Sequence, residues 1–343
     1  PAAILTLGVL GKKFAIIARK LKAVTVTDIL RERYESDAVV IAASVGIIVF
    51  LGAYMVAQFV GGARVLEAVT GLPYRWGLIF FGLCVSLYTA LGGFRAVAIS
   101  DTIQGLIMAI GGIALWIAVL TAAGGMGGVV EALKTTAPEL LTLPGPGGFT
   151  PAMLFSFFIL LGVGLAVLPH ATVRAMAYKD AKAMHGAMVY GPVVMAIFTL
   201  GFIAMGPVAK VYFPDLEVGD LAVPNLILKF LPGWLAGCLL AAPMAAIMST
   251  VDSMLLVVSS AIVKDIYQNY INPNVSDDRA SSIGSVVTFV LGALVLAGSL
   301  WPPPYLEYLV LYAIGGLEAV FFAPVLIGLY WKRANALGAA LSM

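Results

Sequence analysis

Long apolar runs recur along the entire chain, and they constrain its fold more than any other feature. A helix needs about 20 mainly apolar residues to cross a bilayer. Of the 343 residues, 61% are hydrophobic and 11% are charged, whereas a soluble domain carries about 25% charged residues. So few charged residues cannot cover the surface of a water-soluble protein of this size. In lipid, the backbone N–H and C=O groups must form hydrogen bonds within each segment, as they do in a helix. The sequence therefore predicts an all-α, multi-pass membrane protein.

The apolar runs predict eight complete spans and one partial span. The complete spans are 38–66, 77–92, 100–123, 152–170, 187–208, 234–262, 283–301 and 307–331, and the partial span is 1–11. We interpret residues 1–343 as a single transmembrane domain without a separate soluble domain. Both ends stop inside apolar sequence, so we expect a fragment truncated at the N-terminus and at the C-terminus.

The basic residues predict the orientation of the spans. Of the 20 Lys and Arg residues, five fall on one side when loops are assigned alternately, namely Arg64, Arg75, Lys134, Lys210 and Lys229. The side richer in Lys and Arg faces the cytoplasm, so the other fifteen residues mark the cytoplasmic face. We expect the cell membrane as location, in a bacterium the inner membrane. The basic residues form no patch interleaved with aromatic residues, so no nucleic acid partner is predicted.

Sequence signatures of enzymes are absent. His170 and His185 are the two histidines, and neither lies in an H-E-x-x-H motif; neither a nucleophile elbow nor a P-loop occurs. His170 follows Pro169 and is interpreted as a histidine at a helix end. We therefore predict a protein that is not an enzyme and has no cofactor.

Four acidic residues inside or beside the spans are candidates for function, because ionisable groups in a bilayer are costly. Asp101 begins a span and could act as a simple helix cap. Glu67 is expected to pair with Arg64 three residues earlier. Glu318 is interpreted as a packing or gating group. For Asp252, no nearby residue in the sequence can neutralise the carboxylate.

The segment around Asp252 predicts a cation half-site. Ser249, Thr250, Asp252 and Ser253 bring oxygen atoms together within five residues, and Pro243 frees a backbone carbonyl earlier in the helix. Hard cations bind to oxygen ligands of these kinds. The alternative is that the hydroxyls bond back to their own helix, which is common.

A second local pattern lies outside the spans. Thr27 followed by Asp28 is interpreted as the N-cap of a short cytoplasmic helix.

Five segments carry a resemblance to the sodium:solute symporter family, and to its sodium/pantothenate members in particular. They are VAQFVGGARVLEAVTGLPY, LYTALGGFRAVAISDTIQG, LPHATVRAMAYKDAKAMH, LAAPMAAIMSTVDSMLL and GGLEAVFFAPVLIGLYWKRANALGA, in family order along the chain. The resemblance implies a leucine-transporter-like core of two inverted five-helix repeats. It also implies that the chain starts in the second core helix and lacks the broken first one.

The resemblance further implies site residues. The predicted sodium ligands are the Ala246 carbonyl and the Ser249 and Thr250 hydroxyls. A candidate second cation site, for sodium or a proton, combines Asp101, Asp252 and Ser253; Asp252 departs from the small polar residue usual in the family. Candidate substrate contacts are Tyr54, Gln58 and Ser156.

The resulting functional prediction is a symporter that imports a pantothenate-like organic anion with Na⁺ as coupling ion and its only metal. Its partners would be this small molecule, sodium and the lipid bilayer. The alternatives are a symporter for another solute, such as proline or a monocarboxylate, and a non-transporting sensor or channel-like module on the same helices.

Overall fold

The computed structural model describes residues 6, 10–142, 150–176, 178–303 and 306–343, without the side chains of Phe198 and Phe202. Every element of regular secondary structure in these residues is a helix. The helices in chain order are α1 (Lys12–Leu21), α2 (Val26–Tyr34), α3 (Asp37–Thr70), α4 (Tyr74–Ala122), α5 (Gly125–Thr136), α6 (Pro151–Gly162), α7 (Pro169–Met176), α8 (Ala181–Tyr212), α9 (Ala222–Phe230), α10 (Gly233–Ile271), α11 (Asp277–Gly298), α12 (Leu306–Tyr330) and α13 (Ala336–Ser342).

Helix α4 is two membrane spans joined at a glycine. It contains 49 residues, and a straight helix of that length would extend for about 73 Å at 1.5 Å per residue, more than twice the hydrocarbon core. Gly93 breaks it with φ 60° and ψ −170°, a conformation that glycine adopts without a steric penalty. The two predicted spans at 77–92 and 100–123 lie before and after this break.

Helices α6 and α7 form one broken span. A short 3₁₀ segment, Gly164–Val167, follows α6, and the two parts are bent by 42°. Leu168 is extended (φ −60°, ψ 130°), as expected for a residue before proline, and Pro169 begins α7. The break leaves backbone groups without intrahelical partners within the predicted span at 152–170.

The predicted spans agree with the helices. Six described helices are long and apolar enough to cross a membrane, or seven if the bent pair is included; the kink in α4 raises this to eight. Helices α3, α8 and α10 contain the predicted spans 38–66, 187–208 and 234–262, whereas α11 ends three residues before the predicted end at 301 and α12 ends one residue before 331. The partial span at 1–11 lies largely outside the described residues.

Helix α10 packs at the centre of the fold, chiefly against α4 and α3. Its buried Met254 belongs to a core cluster with Phe59 of α3 and Phe321 of α12. The outer surface is also apolar: Leu91 is 84% exposed and Leu200 is 70% exposed. An apolar exterior around a packed core is the arrangement of a protein dissolved in lipid, so the chain is a multi-pass membrane protein.

The start of α2 differs from the sequence prediction. Thr25, not Thr27, is the N-cap: its hydroxyl accepts from the Asp28 backbone N–H, and the Asp28 carboxylate accepts from the Thr25 backbone N–H. This is a capping box, whose two members are three residues apart. Thr27 lies inside the helix, and its hydroxyl donates to Asp265 of α10.

Candidate functional site

Three predicted sodium ligands converge on one turn of α10. The Ser249 Oγ donates to the Ala246 carbonyl at 3.0 Å, and the Thr250 Oγ1 donates to the same carbonyl at 2.9 Å. Both side chains are half-buried. The hydroxyls therefore bond back to their own helix, which was the alternative to a cation site. These bonds also hold the two hydroxyl oxygens close to the Ala246 carbonyl oxygen. Because each hydroxyl keeps lone pairs while donating its proton, the cluster can still offer oxygen ligands to a cation.

Asp252 is fully buried and lies on a different face of α10. Its Oδ1 accepts hydrogen bonds from Tyr88 and Thr89 of α4, the second at 3.1 Å, and its Oδ2 has no hydrogen-bond partner among the described residues. The carboxylate thus joins α10 to the first half of α4. In this arrangement the Asp252 carboxylate faces the Tyr88 and Thr89 hydroxyls.

Asp101 and Ser253 are brought together through a residue that the sequence analysis did not select. Arg174 of α7 donates from Nη2 to the Asp101 Oδ2 at 2.7 Å and to the Ser253 Oγ, and lies 3.5 Å from the Ser249 carbonyl oxygen. Asp101 lies within the second half of α4, eight residues beyond the break at Gly93, so it is not the cap of that helix. Of the candidate second-site residues, two therefore meet around one guanidinium.

Arg174 could have been selected from its position in the sequence. It is the only Lys, Arg, Asp or Glu between Thr150 and Tyr178, a stretch that includes the predicted span 152–170 and the four residues after it. A lone ionisable residue in or beside an apolar span is a candidate for function. The orientation argument assigned Arg174 to the cytoplasmic face as one of fifteen basic residues and gave it no further role.

The candidate substrate residues occupy different environments. The Tyr54 ring on α3 meets the His170 ring at 6.2 Å between centroids, edge to face. Gln58 follows one turn later on α3 and is half-buried. Ser156 is exposed on α6, and its hydroxyl donates to the Ala152 carbonyl at 3.0 Å, so its polar group is used within its own helix.

A cavity of about 920 Å³ lies beside the Arg174 cluster; Tyr54, Gln58 and Ser156 are not among the residues that line it. Asp101, His170, Arg174 and Ser253 line one part of it, and Lys264 lines another. The cavity extends from Ser253 of α10 towards the start of α2, on the face predicted to be cytoplasmic. Its size is within the range of sites that enclose small organic molecules, about 300–1,000 Å³.

The α2–α10 contact closes one wall of this cavity. Thr25 donates to the buried Asp265 carboxylate at 2.9 Å, and Lys264 pairs with Asp28 at 2.7 Å. Burial opposes ionisation of Asp28, but hydrogen bonds from Lys264 and from the Val24 and Thr25 backbone N–H groups hold its pKa below the ordinary value. Asp28 is therefore an anion at neutral pH, and it ties α2 to α10.

Glu318 of α12 contacts the break between α6 and α7. A Cβ atom added at Gly164 would lie 1.9 Å from the Glu318 Cδ, so the carboxyl group is in direct contact with the backbone at this glycine. Its Oε1 is buried without a hydrogen-bond partner among the described residues. Elsewhere, Arg64 and Glu67 form the ion pair predicted from the sequence, at 2.7 Å.

The family and the fold are established by comparison with known proteins. The sequence model of the Sodium:solute symporter family matches residues 1–343. The Sodium/pantothenate symporter of Escherichia coli (strain K12) is 48% identical over 347 residues, covering 100% of this chain and 71% of that protein. A protein of the same name from Haemophilus influenzae is 42% identical, with the same coverage of 100% and 71%.

The fold agrees with a solved transporter. The structure described as a substrate-bound outward-open state of a Na⁺-coupled sialic acid symporter superposes with a TM-score of 0.82, at 21% identity, covering 99% of this chain and 73% of that one. The predicted all-helical, leucine-transporter-like fold is thereby confirmed. The chain belongs to the sodium:solute symporter family.

Proposed function

We propose that this chain is the transport core of a symporter that imports pantothenate together with sodium. The observation that carries the proposal is the 48% identity, over the entire chain, to a protein named for this activity. The geometry supports it, because the predicted sodium ligands lie on α10 and the same helix, from Ser253 onwards, lines a cavity of suitable size.

The oxygen cluster on α10 supplies the chemistry of coupling. Ala246, Ser249 and Thr250 offer one carbonyl and two hydroxyl oxygens, which are ligands suited to a hard monovalent cation. Ligands from another helix would complete the coordination. A sodium ion held between two helices stabilises one arrangement of them, and this differential binding couples the ion to the substrate.

The free energies of the substrate and the ion explain why sodium is needed. Moving a monovalent anion into a cell that is negative inside costs about 2.3 kcal/mol per 100 mV. One sodium ion entering with the anion cancels this cost. The sodium concentration gradient then drives accumulation, and each tenfold gradient contributes about 1.4 kcal/mol, equivalent to tenfold accumulation.

The proposal is tested in membrane vesicles containing the protein expressed from its complete gene. An inward sodium gradient should drive accumulation of labelled pantothenate, whereas a potassium gradient of equal size should not. Unlabelled proline and a short monocarboxylate serve as competitors. Sodium-driven uptake of one of these instead of pantothenate would refute the substrate and keep the mechanism; a folded protein that transports none would favour a sensor.

A further inference from the structure

A cationic nitrogen of the protein lies between Asp101 and Ser253, two of the three residues of the candidate second cation site. The Arg174 Nη2 has the Asp101 carboxylate at 2.7 Å, the Ser253 hydroxyl within hydrogen-bonding distance and the Ser249 carbonyl at 3.5 Å. One carboxylate, one hydroxyl and one carbonyl oxygen from two helices form the kind of ligand set that a hard cation uses.

The cation and its ligands belong to different parts of the fold. Asp101 lies on α4, Ser249 and Ser253 lie on α10, and Arg174 reaches them from α7, beyond the break in the span. The Arg174 side chain is 55% exposed and that of Asp101 is 20% exposed, so the guanidinium enters from the cavity. A guanidinium remains charged at all physiological pH values.

We propose that Arg174 is a tethered cation that replaces a second sodium ion, so that this transporter carries one sodium ion per substrate. The inference rests on the proposed symport function and specifies its stoichiometry. Two unit charges 4 Å apart repel each other strongly enough, at the effective dielectric of a protein surface, to weaken binding roughly a thousandfold. A sodium ion therefore does not bind at Asp101 while the guanidinium is in place.

The stoichiometry has an electrical consequence. One sodium ion and one monovalent anion carry no net charge, so each cycle of the unaltered protein is electroneutral. If Arg174 loses its charge, the Asp101 carboxylate is left uncompensated and forms an oxygen site with the Ser253 hydroxyl and the Ser249 carbonyl. A second sodium ion then binds there, and each cycle moves one positive charge inwards.

The test is Arg174→Gln in the protein expressed from its complete gene. Equilibrium binding of ²²Na⁺ to purified protein should give one ion per molecule before the substitution and two after it. The Hill coefficient for sodium in uptake should rise from about 1 to about 2. An imposed inside-negative potential should accelerate uptake by the variant and leave the unaltered protein unaffected.

Two further variants serve as matched controls. Lys182→Gln removes an exposed cation from the start of α8 and should leave one ion per molecule. The double variant Arg174→Gln/Asp101→Asn removes the carboxylate as well and should return the count to one.

Several results would overturn the proposal. They are two sodium ions bound to the unaltered protein, one ion bound to folded Arg174→Gln, or a second ion that persists in the double variant. If Arg174→Gln does not fold, the proposal is tested by the number of sodium ions bound to the unaltered protein and to Arg174→Lys. Both proteins should bind one ion, and two ions bound to either would overturn the proposal. Because ²²Na⁺ binding requires no substrate, failure of pantothenate uptake would refute the proposed function separately.

Discussion

Removal of the Thr250 hydroxyl should weaken the coupling sodium without unfolding the protein. In Thr250→Ala, the Ala246 carbonyl keeps its bond from Ser249, so the fold loses little. The sodium ion loses one of three oxygens that α10 supplies. We take the contact between a hydroxyl oxygen and a sodium ion as equal in strength to a hydrogen bond to a charged group, about 1.5–3 kcal/mol, and 1.4 kcal/mol corresponds to tenfold. The sodium concentration for half-maximal uptake should therefore rise roughly ten- to hundredfold.

The assay is initial uptake of labelled pantothenate across a sodium titration. Thr250→Ser retains the hydroxyl and should behave nearly as the unaltered protein does. Thr121→Ala is the matched control, because the Thr121 hydroxyl is also bonded back to its own helix, at 2.8 Å to the Ile117 carbonyl, but on an exposed surface. An unchanged sodium requirement in Thr250→Ala would remove this residue from the ion site.

Three further predictions follow from buried or close contacts. Gly164→Ala places a methyl group on the Glu318 carboxyl; it should cost about 1–3 kcal/mol of stability, measured by thermal unfolding, with partial recovery in Gly164→Ala/Glu318→Ala. Asp252→Ala leaves two hydroxyls of α4 without their acceptor and should lower the unfolding temperature more than Asp252→Asn, which keeps an acceptor. Because the pKa of Asp28 is depressed below 3.8, its pair with Lys264 should stabilise the protein above that pH and be lost as pH falls through the folded-state pKa; unfolding of Asp28→Asn should lack this acid-dependent component.

The sequence could predict the membrane spans because the cause of each span is local. A long apolar run without charges specifies a helix in lipid by itself, and the break at Gly93 lies between two predicted spans. The oxygen cluster on α10 could also be predicted from the sequence, since Ala246, Ser249 and Thr250 are separated by about one helical turn or less.

Contacts between segments that are distant in sequence could not be predicted in the same way. Arg174 meets Asp101 across 73 residues and Ser253 across 79, and no local pattern specifies which cation reaches which carboxylate. The separation of Asp252 from Ser253 illustrates a second limit. Adjacent residues on a helix point about 100° apart, so proximity in sequence did not place them on one face.

The predicted N-cap of α2 was wrong, although a local sequence rule identifies the correct residue. Thr25 and Thr27 both lie shortly before Asp28, and their spacing to this acidic residue distinguishes them. A threonine three residues before an acidic residue forms a capping box, whereas a threonine directly before it does not. The spacing rule would have selected Thr25.

The central claim is that the oxygen cluster on α10 binds the ion that couples to the substrate, and reciprocal binding tests it most directly. On purified protein, sodium should tighten pantothenate binding, and pantothenate should tighten ²²Na⁺ binding by the same factor. Ser249→Ala/Thr250→Ala should abolish both effects in a protein that still folds. The account would be contradicted if sodium left pantothenate affinity unchanged, or if the double variant kept the full coupling.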